Sequence, residues 1–118
     1  MQDKIEINGV TYIREEPIDE SKYVIVRCRG AGVHAGYLHT RNSEVLVLKN
    51  SRRLWRWWSK FTLSGLATEG VLAGKENECR FACVLPVLDL TVSDVCEVIY
   101  CSEKARRSIK GITEFTNE

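Results

Sequence analysis

The sequence predicts a single α+β domain over residues 1–118: an antiparallel sheet, a meander packed around a short helix, closed by a second short helix at the C-terminus. Three observations predict it. Short apolar or alternating runs recur through the first half with turn residues between them. Two later segments repeat their apolar residues at helical spacing, each with a hydroxyl residue before it and a glycine behind. No internal repeat, low-complexity stretch or shift in composition divides the chain.

In chain order, Lys4–Arg14 reads as a hairpin. Asn8-Gly9 is the favoured two-residue type I′ turn and joins Lys4–Ile7 to Val10–Ile13. The acidic segment Glu15–Ser21, with Pro17 inside it, reads as a solvated loop. Tyr23–Arg29 is a strand with Val24, Val26 and Cys28 on one face and Tyr23, Ile25, Arg27 and Arg29 on the other. Gly30–Gly36 holds three glycines and reads as a wide turn or bulge, or as a loop that lets a ligand or another subunit lie against main chain. It has neither the Walker lysine nor the Rossmann spacing. Tyr37–Thr40 is the next strand, Arg41-Asn42-Ser43 turns, and Glu44–Lys49 returns, apolar on both faces as a central strand is.

Asn50–Trp58 follows almost at once. It holds all three tryptophans and three arginines within nine residues. As an extended strand it places Arg53, Trp55 and Trp57 on one face, and Arg52, Leu54, Arg56 and Trp58 on the other. The tryptophans pack inward under arginine stems, or rings and guanidiniums together grip a nucleotide-like anion, or both hold, with one tryptophan in the core and another at a site. The first half therefore holds about five or six strands.

Thr62 caps a helix over Leu63–Glu69 that Gly70 ends, with Leu63, Leu66 and Ala67 as the stripe that lies on the sheet. Val71–Glu78 is a polar excursion closed by Cys79–Cys83. Val84–Leu90 and Val95–Tyr100 are two further strands, and Pro86 suits an edge. Ser102 caps Glu103–Lys110, stopped by Gly111. Ala105, Ile109 and Ile112 face inward, which leaves Arg106, Arg107 and Lys110 as an outward basic face.

A net charge of +1, with 44% apolar and 28% charged residues, is that of a globular domain and argues against a long nucleic acid as partner. The polar start Met1-Gln2-Asp3-Lys4 carries no signal peptide, and no run reaches membrane-spanning length. With five cysteines, this points to reduced thiols in a cytoplasm. Catalysis has little to rest on. The two histidines, His34 and His39, lie in the glycine stretch and the strand after it, and no nucleophile sits at a spacing that supplies it with a base. Cys79, Cys83, Cys96 and Cys101 could hold structural zinc, although intervals of three and four residues are wider than the usual knuckle.

What remains is Arg27, Arg29, Arg53, Arg56, Arg80, Arg106 and Arg107, with Trp55, Trp57, Tyr37, Phe81 and Tyr100. A small phosphorylated ligand needs a few guanidiniums and one or two rings, and no broad basic field.

Lys4–Tyr12, Ala31–Leu38, Arg52-Arg53-Leu54-Trp55, Leu63–Ala67 and Ser102–Ala105 resemble a widespread family of small uncharacterised tailed-phage proteins, which carries no assigned activity. In size and order of elements the chain is also similar to the Thoeris anti-defence sponge proteins of phages. That resemblance implies a non-enzymatic homo-oligomer that binds cyclic ADP-ribose isomers, and in some cases cyclic oligonucleotides, between subunits. Phe81, Arg53 or Arg56, and the Arg106/Arg107 helix would then line the pocket.

The reading is a phage sponge in the host cytoplasm. It sequesters a nucleotide-derived signal without turnover or cofactor, through Arg27, Arg53, Arg56, Trp57, Phe81, Arg106 and Arg107. The alternatives are a nucleic-acid-binding or host-protein-interaction module, and a zinc-stabilised structural protein.

Overall fold

A computed structural model describes residues 4–7, 10–13, 19–60 and 62–115. β1 (Lys4–Ile7) and β2 (Val10–Ile13) pair antiparallel, with Ile7 opposite Val10 and Lys4 opposite Ile13. This is the expected hairpin; its Asn8-Gly9 turn lies outside the described residues, as do residues 15–18 of the expected loop Glu15–Ser21. Asp19 caps a single 3-10 turn at Glu20–Lys22, its carboxylate accepting the Ser21 N–H at 3.0 Å.

β3 (Tyr23–Cys28), β4 (Val33–Arg41), β5 (Val45–Arg56), β6 (Arg80–Phe81), β7 (Leu85–Thr91) and β8 (Val95–Tyr100) form one six-stranded sheet with every pairing antiparallel. The order is β6-β5-β4-β3-β8, and β7 lies along the first half of β5. β3-β4-β5 is the meander, and β8 returns to the free side of β3. With α1 (Leu63–Glu69) and α2 (Glu103–Gly111), the architecture is the mixed α+β fold that the sequence predicts.

Two boundaries differ from expectation. The chain reverses only at residues 29–32, and His34, Ala35 and Gly36 are buried strand residues of β4. Glu44–Lys49 and Asn50–Trp58 are also not two strands, because β5 runs unbroken for 12 residues and stops at Arg56. The break is absorbed by a bulge. Asn50 adopts φ 47°, and the register against β4 slips there, from Ala35 opposite Arg52 to Tyr37 opposite Lys49. Asparagine tolerates that left-handed backbone better than most residues. Across from it, a Cβ on Gly36 would stand 2.7 Å from Ser51 Cβ and 2.8 Å from its Cα. Only glycine lets the two chains pass this closely.

The strand alternation of β3 feeds two cores. On one face Tyr23 and Ile25 join Leu54, Phe81, Leu66, Ala67 and Ile109, under both helices. Leu66, Ala67, Ala105, Ile109 and Ile112 thus point inward as their spacing predicts. On the other face Val24, Val26 and Cys28 join Leu46, Leu48 and Leu90, with Val95 and Val98 packed against them. No helix among the described residues covers this face. Strands from β8 round to β7 contribute to one cluster, so the sheet curls about it. Burying an aliphatic side chain contributes about 1.5–3 kcal/mol, which makes β3, apolar on both faces, the centre of the fold.

Helix ends follow the local chemistry. The Ser102 hydroxyl accepts the Ala105 N–H at 3.0 Å and donates to the Thr68 carbonyl at 2.5 Å, capping α2 and tying it to α1. Thr62 makes no side-chain cap; its carbonyl takes the N–H groups of Gly65 and Leu66. No helix among the described residues is long and apolar enough to cross a membrane.

Candidate functional site

The seven expected site residues fall in separate places. Arg27 leaves β3 at the sheet surface, where its Nε meets Glu97 at 2.9 Å. Phe81 is fully buried beneath the helices, and Trp57, just past the end of β5, packs half-buried on the same core. Neither of these two rings stands open on the surface of a single chain. Arg107 is exposed and bound to Glu103 at 2.9 Å. Arg106 does not point outward as the helical wheel suggests. Its side chain is only 17% exposed and reaches Tyr37 Oη at 3.2 Å and Glu103 at 3.4 Å. Lys110 Nζ also reaches Tyr37 Oη, at 2.8 Å.

A cleft of about 380 Å³ opens beside Arg106 and is lined by Ser21, Cys101, Ser102, Glu103 and Arg106, with no ring among these residues. Burial pushes the Cys101 thiol up to about 12, so it stays protonated and unreactive at neutral pH. No three His, Cys, Asp or Glu side chains gather as metal ligands among the described residues. The four cysteines considered for zinc are dispersed: Cys79 is buried, while Cys83 and Cys96 are exposed.

Arg53 and Arg56 do find company, at the far end of β5. Leu54 pairs with Phe81, and the next pairing is Arg56 with Arg80, so a bulge sets both Trp55 and Arg56 against Arg80. Trp55 is 52% exposed, the reverse of the packed-tryptophan reading, while its neighbour Leu54 is buried. Phe115 stands edge-on to Trp55 with centroids 6.4 Å apart, and the Arg80 guanidinium lies 4.7 Å above the Phe115 ring. One step along, Arg56 lies 5.6 Å and Lys75 5.3 Å from the ring of Trp58, which is itself more than a third exposed. Arg53 rests over the turn before β4, so close to Gly32 that a Cβ there would come 2.8 Å from its Nη2.

Arg27, Arg106 and Arg107 each meet a carboxylate. Among the described residues none pairs with Arg53, Arg56 or Arg80. Like charges directly opposite in an antiparallel ladder destabilise it, and Arg56 and Arg80 are such a pair. Exposed cation–π contacts offset roughly 0.5–1 kcal/mol each. Unneutralised guanidiniums beside open indole and phenyl faces can take a phosphate and stack a base.

Phe115 and Lys75 were not among the residues singled out from sequence. Phe115 reaches the surface because its N–H donates to the Phe81 carbonyl at 2.8 Å, laying the C-terminal segment parallel to β6. No local pattern announces that bond. No curated protein and no solved structure matches this chain. The family model described as "Domain of unknown function (DUF6948)" matches residues 21–109, from the first turn before β3 almost to the end of α2, and the protein belongs to that family.

Proposed function

We propose that this protein is a non-enzymatic binder of a nucleotide-derived ligand, of phage origin and working in the host cytoplasm as a sponge for an immune signal. The observation that carries the proposal is the ring-and-guanidinium surface at the end of β5. There, among the described residues, no carboxylate pairs with Arg53, Arg56 or Arg80, which stand beside exposed Trp55, Trp58 and Phe115. Bases stack on the rings while the guanidiniums neutralise phosphate, and binding without turnover removes the signal by mass action. The surface is open on one chain, so a second copy closing over it would supply the enclosure a tightly held small molecule needs. The resemblance to phage sponge proteins supports both the ligand class and the homo-oligomer.

The test is capture and release. Purified protein is incubated with cyclic ADP-ribose isomers and with cyclic oligonucleotides, washed, and denatured by heat, and the supernatant is assayed for intact ligand. Recovery of unaltered ligand, lost in Trp55→Ala and Arg80→Ala, supports the reading. Failure to recover any member of either class overturns it.

A further inference from the structure

Arg80 lies on Phe115 and Arg56 lies on Trp58, and these two arginines are cross-strand partners. The surface therefore has an internal order: ring, guanidinium, guanidinium, ring. Trp55 stands edge-on beside the first ring and widens that station. Cross-strand partners have Cα atoms about 4.5–5.5 Å apart, so one small anion between Arg56 and Arg80 can touch both. Two residues separate Trp55 from Trp58, so their Cα atoms are at most about 11 Å apart. Two flat stations thus flank one anion position.

From this arrangement, and resting on the nucleotide-binding reading above, we infer that the site takes a ligand with two bases joined by a phosphodiester. The phosphodiester sits between Arg56 and Arg80. One base stacks at Trp55 and Phe115, the other at Trp58. A mononucleotide fills half of this arrangement and leaves one ring station in water. The same chemistry occurs in a closed cyclic dinucleotide and in two consecutive residues of a single strand, and both sources meet the two stations.

Three adenine compounds separate the possibilities when titrated against tryptophan fluorescence: AMP, the linear dinucleotide ApA, and cyclic di-AMP. ApA carries less charge than AMP, so tighter binding of ApA reports the second base and not the phosphate. We expect ApA to bind about tenfold tighter than AMP, the size of one base–aromatic stack. Trp58→Ala brings the ratio of ApA to AMP affinity down toward one, and Arg56→Ala weakens ApA by a similar factor. Cyclic di-AMP binding tighter than ApA identifies the closed ring as the preferred source, the reverse order identifies the strand, and both support the two-station site. AMP binding as tightly as ApA, or a Trp58→Ala protein that keeps the ApA advantage, overturns the inference and leaves the nucleotide reading standing. No binding by any of the three, with a wild-type melting transition intact, overturns the two-station inference, and the nucleotide reading is then decided by the capture assay with cyclic ADP-ribose isomers.

Discussion

The Arg52 guanidinium donates from Nε to the Ala82 carbonyl at 2.9 Å, and from Nη1 to the carbonyls of Ile109 at 3.0 Å and Ile112 at 2.7 Å. It is 3% exposed and lies 5.4 Å over the Phe81 ring. It holds the C-terminal end of α2, where a cation complements the negative end of the helix dipole. Arg53, its neighbour in the chain, faces solvent on the other side of the sheet. Strand alternation shows in the sequence that the two point apart; it does not show which is inside, because hydropathy ranks them equally. Arg52→Ala takes its donors from the carbonyls of Ala82, Ile109 and Ile112, of which Ile109 keeps only the Ile112 N–H at 3.4 Å, and is expected to cost about 3 kcal/mol, while Arg53→Ala stays within about 0.5 kcal/mol. Chemical denaturation of both proteins checks this, and equal losses would contradict it. His34 is a second buried polar residue, 7% exposed, with Nε2 donating to the Ala31 carbonyl at 2.7 Å. Burial pulls its pKa below the ordinary 6.5, the Ala31 bond opposes that, and the Arg53 guanidinium adds to the lowering. The folded protein thus favours neutral His34, and the unfolded chain takes up a proton first as pH falls. This contribution to stability is complete above the ordinary value of 6.5 and declines below it. The melting temperature should drop between pH 7 and pH 5.5 and vary less with pH in His34→Gln; an unchanged slope would remove His34 as the cause.

Helices were more legible than strands. The span Thr62–Gly70 carries its boundaries in its own residues, and α1 occupies Leu63–Glu69 as the spacing predicts. Gly65 is the exception that spacing does not explain. A Cβ there would stand 1.7 Å from the Lys60 carbonyl oxygen. Alanine is ordinarily the better helix former by about 1 kcal/mol, yet Gly65→Ala is expected to destabilise by about 2 kcal/mol or more, because a backbone segment would have to move. A neutral or stabilising result in thermal melts would show that the preceding loop yields. In α2, Ser102→Ala removes both the cap and the bond to Thr68 and is expected to cost about 1 kcal/mol, read as a lower denaturation midpoint. Strand boundaries were harder because the sequence of β5 reads as two units. The apolar run 45–49 and the tryptophan segment have different periodicities, and only the pairing with β4 through the Asn50 bulge shows one strand. Past Arg56 the strand ends, so alternation no longer applies. Trp57 turns inward and Trp58 outward for that reason.

At the scale of the whole chain, β3 contributes to both clusters, with Tyr23 and Ile25 in one and Val24 and Val26 in the other. It pairs on both edges, with β4 and β8. Its amides should be released only by global opening, and native-state hydrogen exchange should rank Val24–Val26 among the slowest. Faster exchange there than in β7 would place the stable centre elsewhere. The α+β class and the meander were legible because they follow from local periodicity. The candidate site was legible only in its ingredients: arginines and tryptophans were evident, but their grouping depends on β6 pairing with β5 and on Phe115 arriving from the C-terminal segment. Phe81, counted as a ring for a ligand, became core because that same pairing turns it toward the helices. Such long-range pairings leave no trace in nearest-neighbour patterns.

The reach of Arg52 also bears on how the protein is made. Its acceptors at Ala82, Ile109 and Ile112 are all synthesised after it. While the ribosome is still adding those residues, this charge has nowhere dry to go and keeps its water. The layer beneath the helices therefore closes only when α2 emerges, and a nascent chain stalled before Ile109 should remain open to a protease that the finished protein resists.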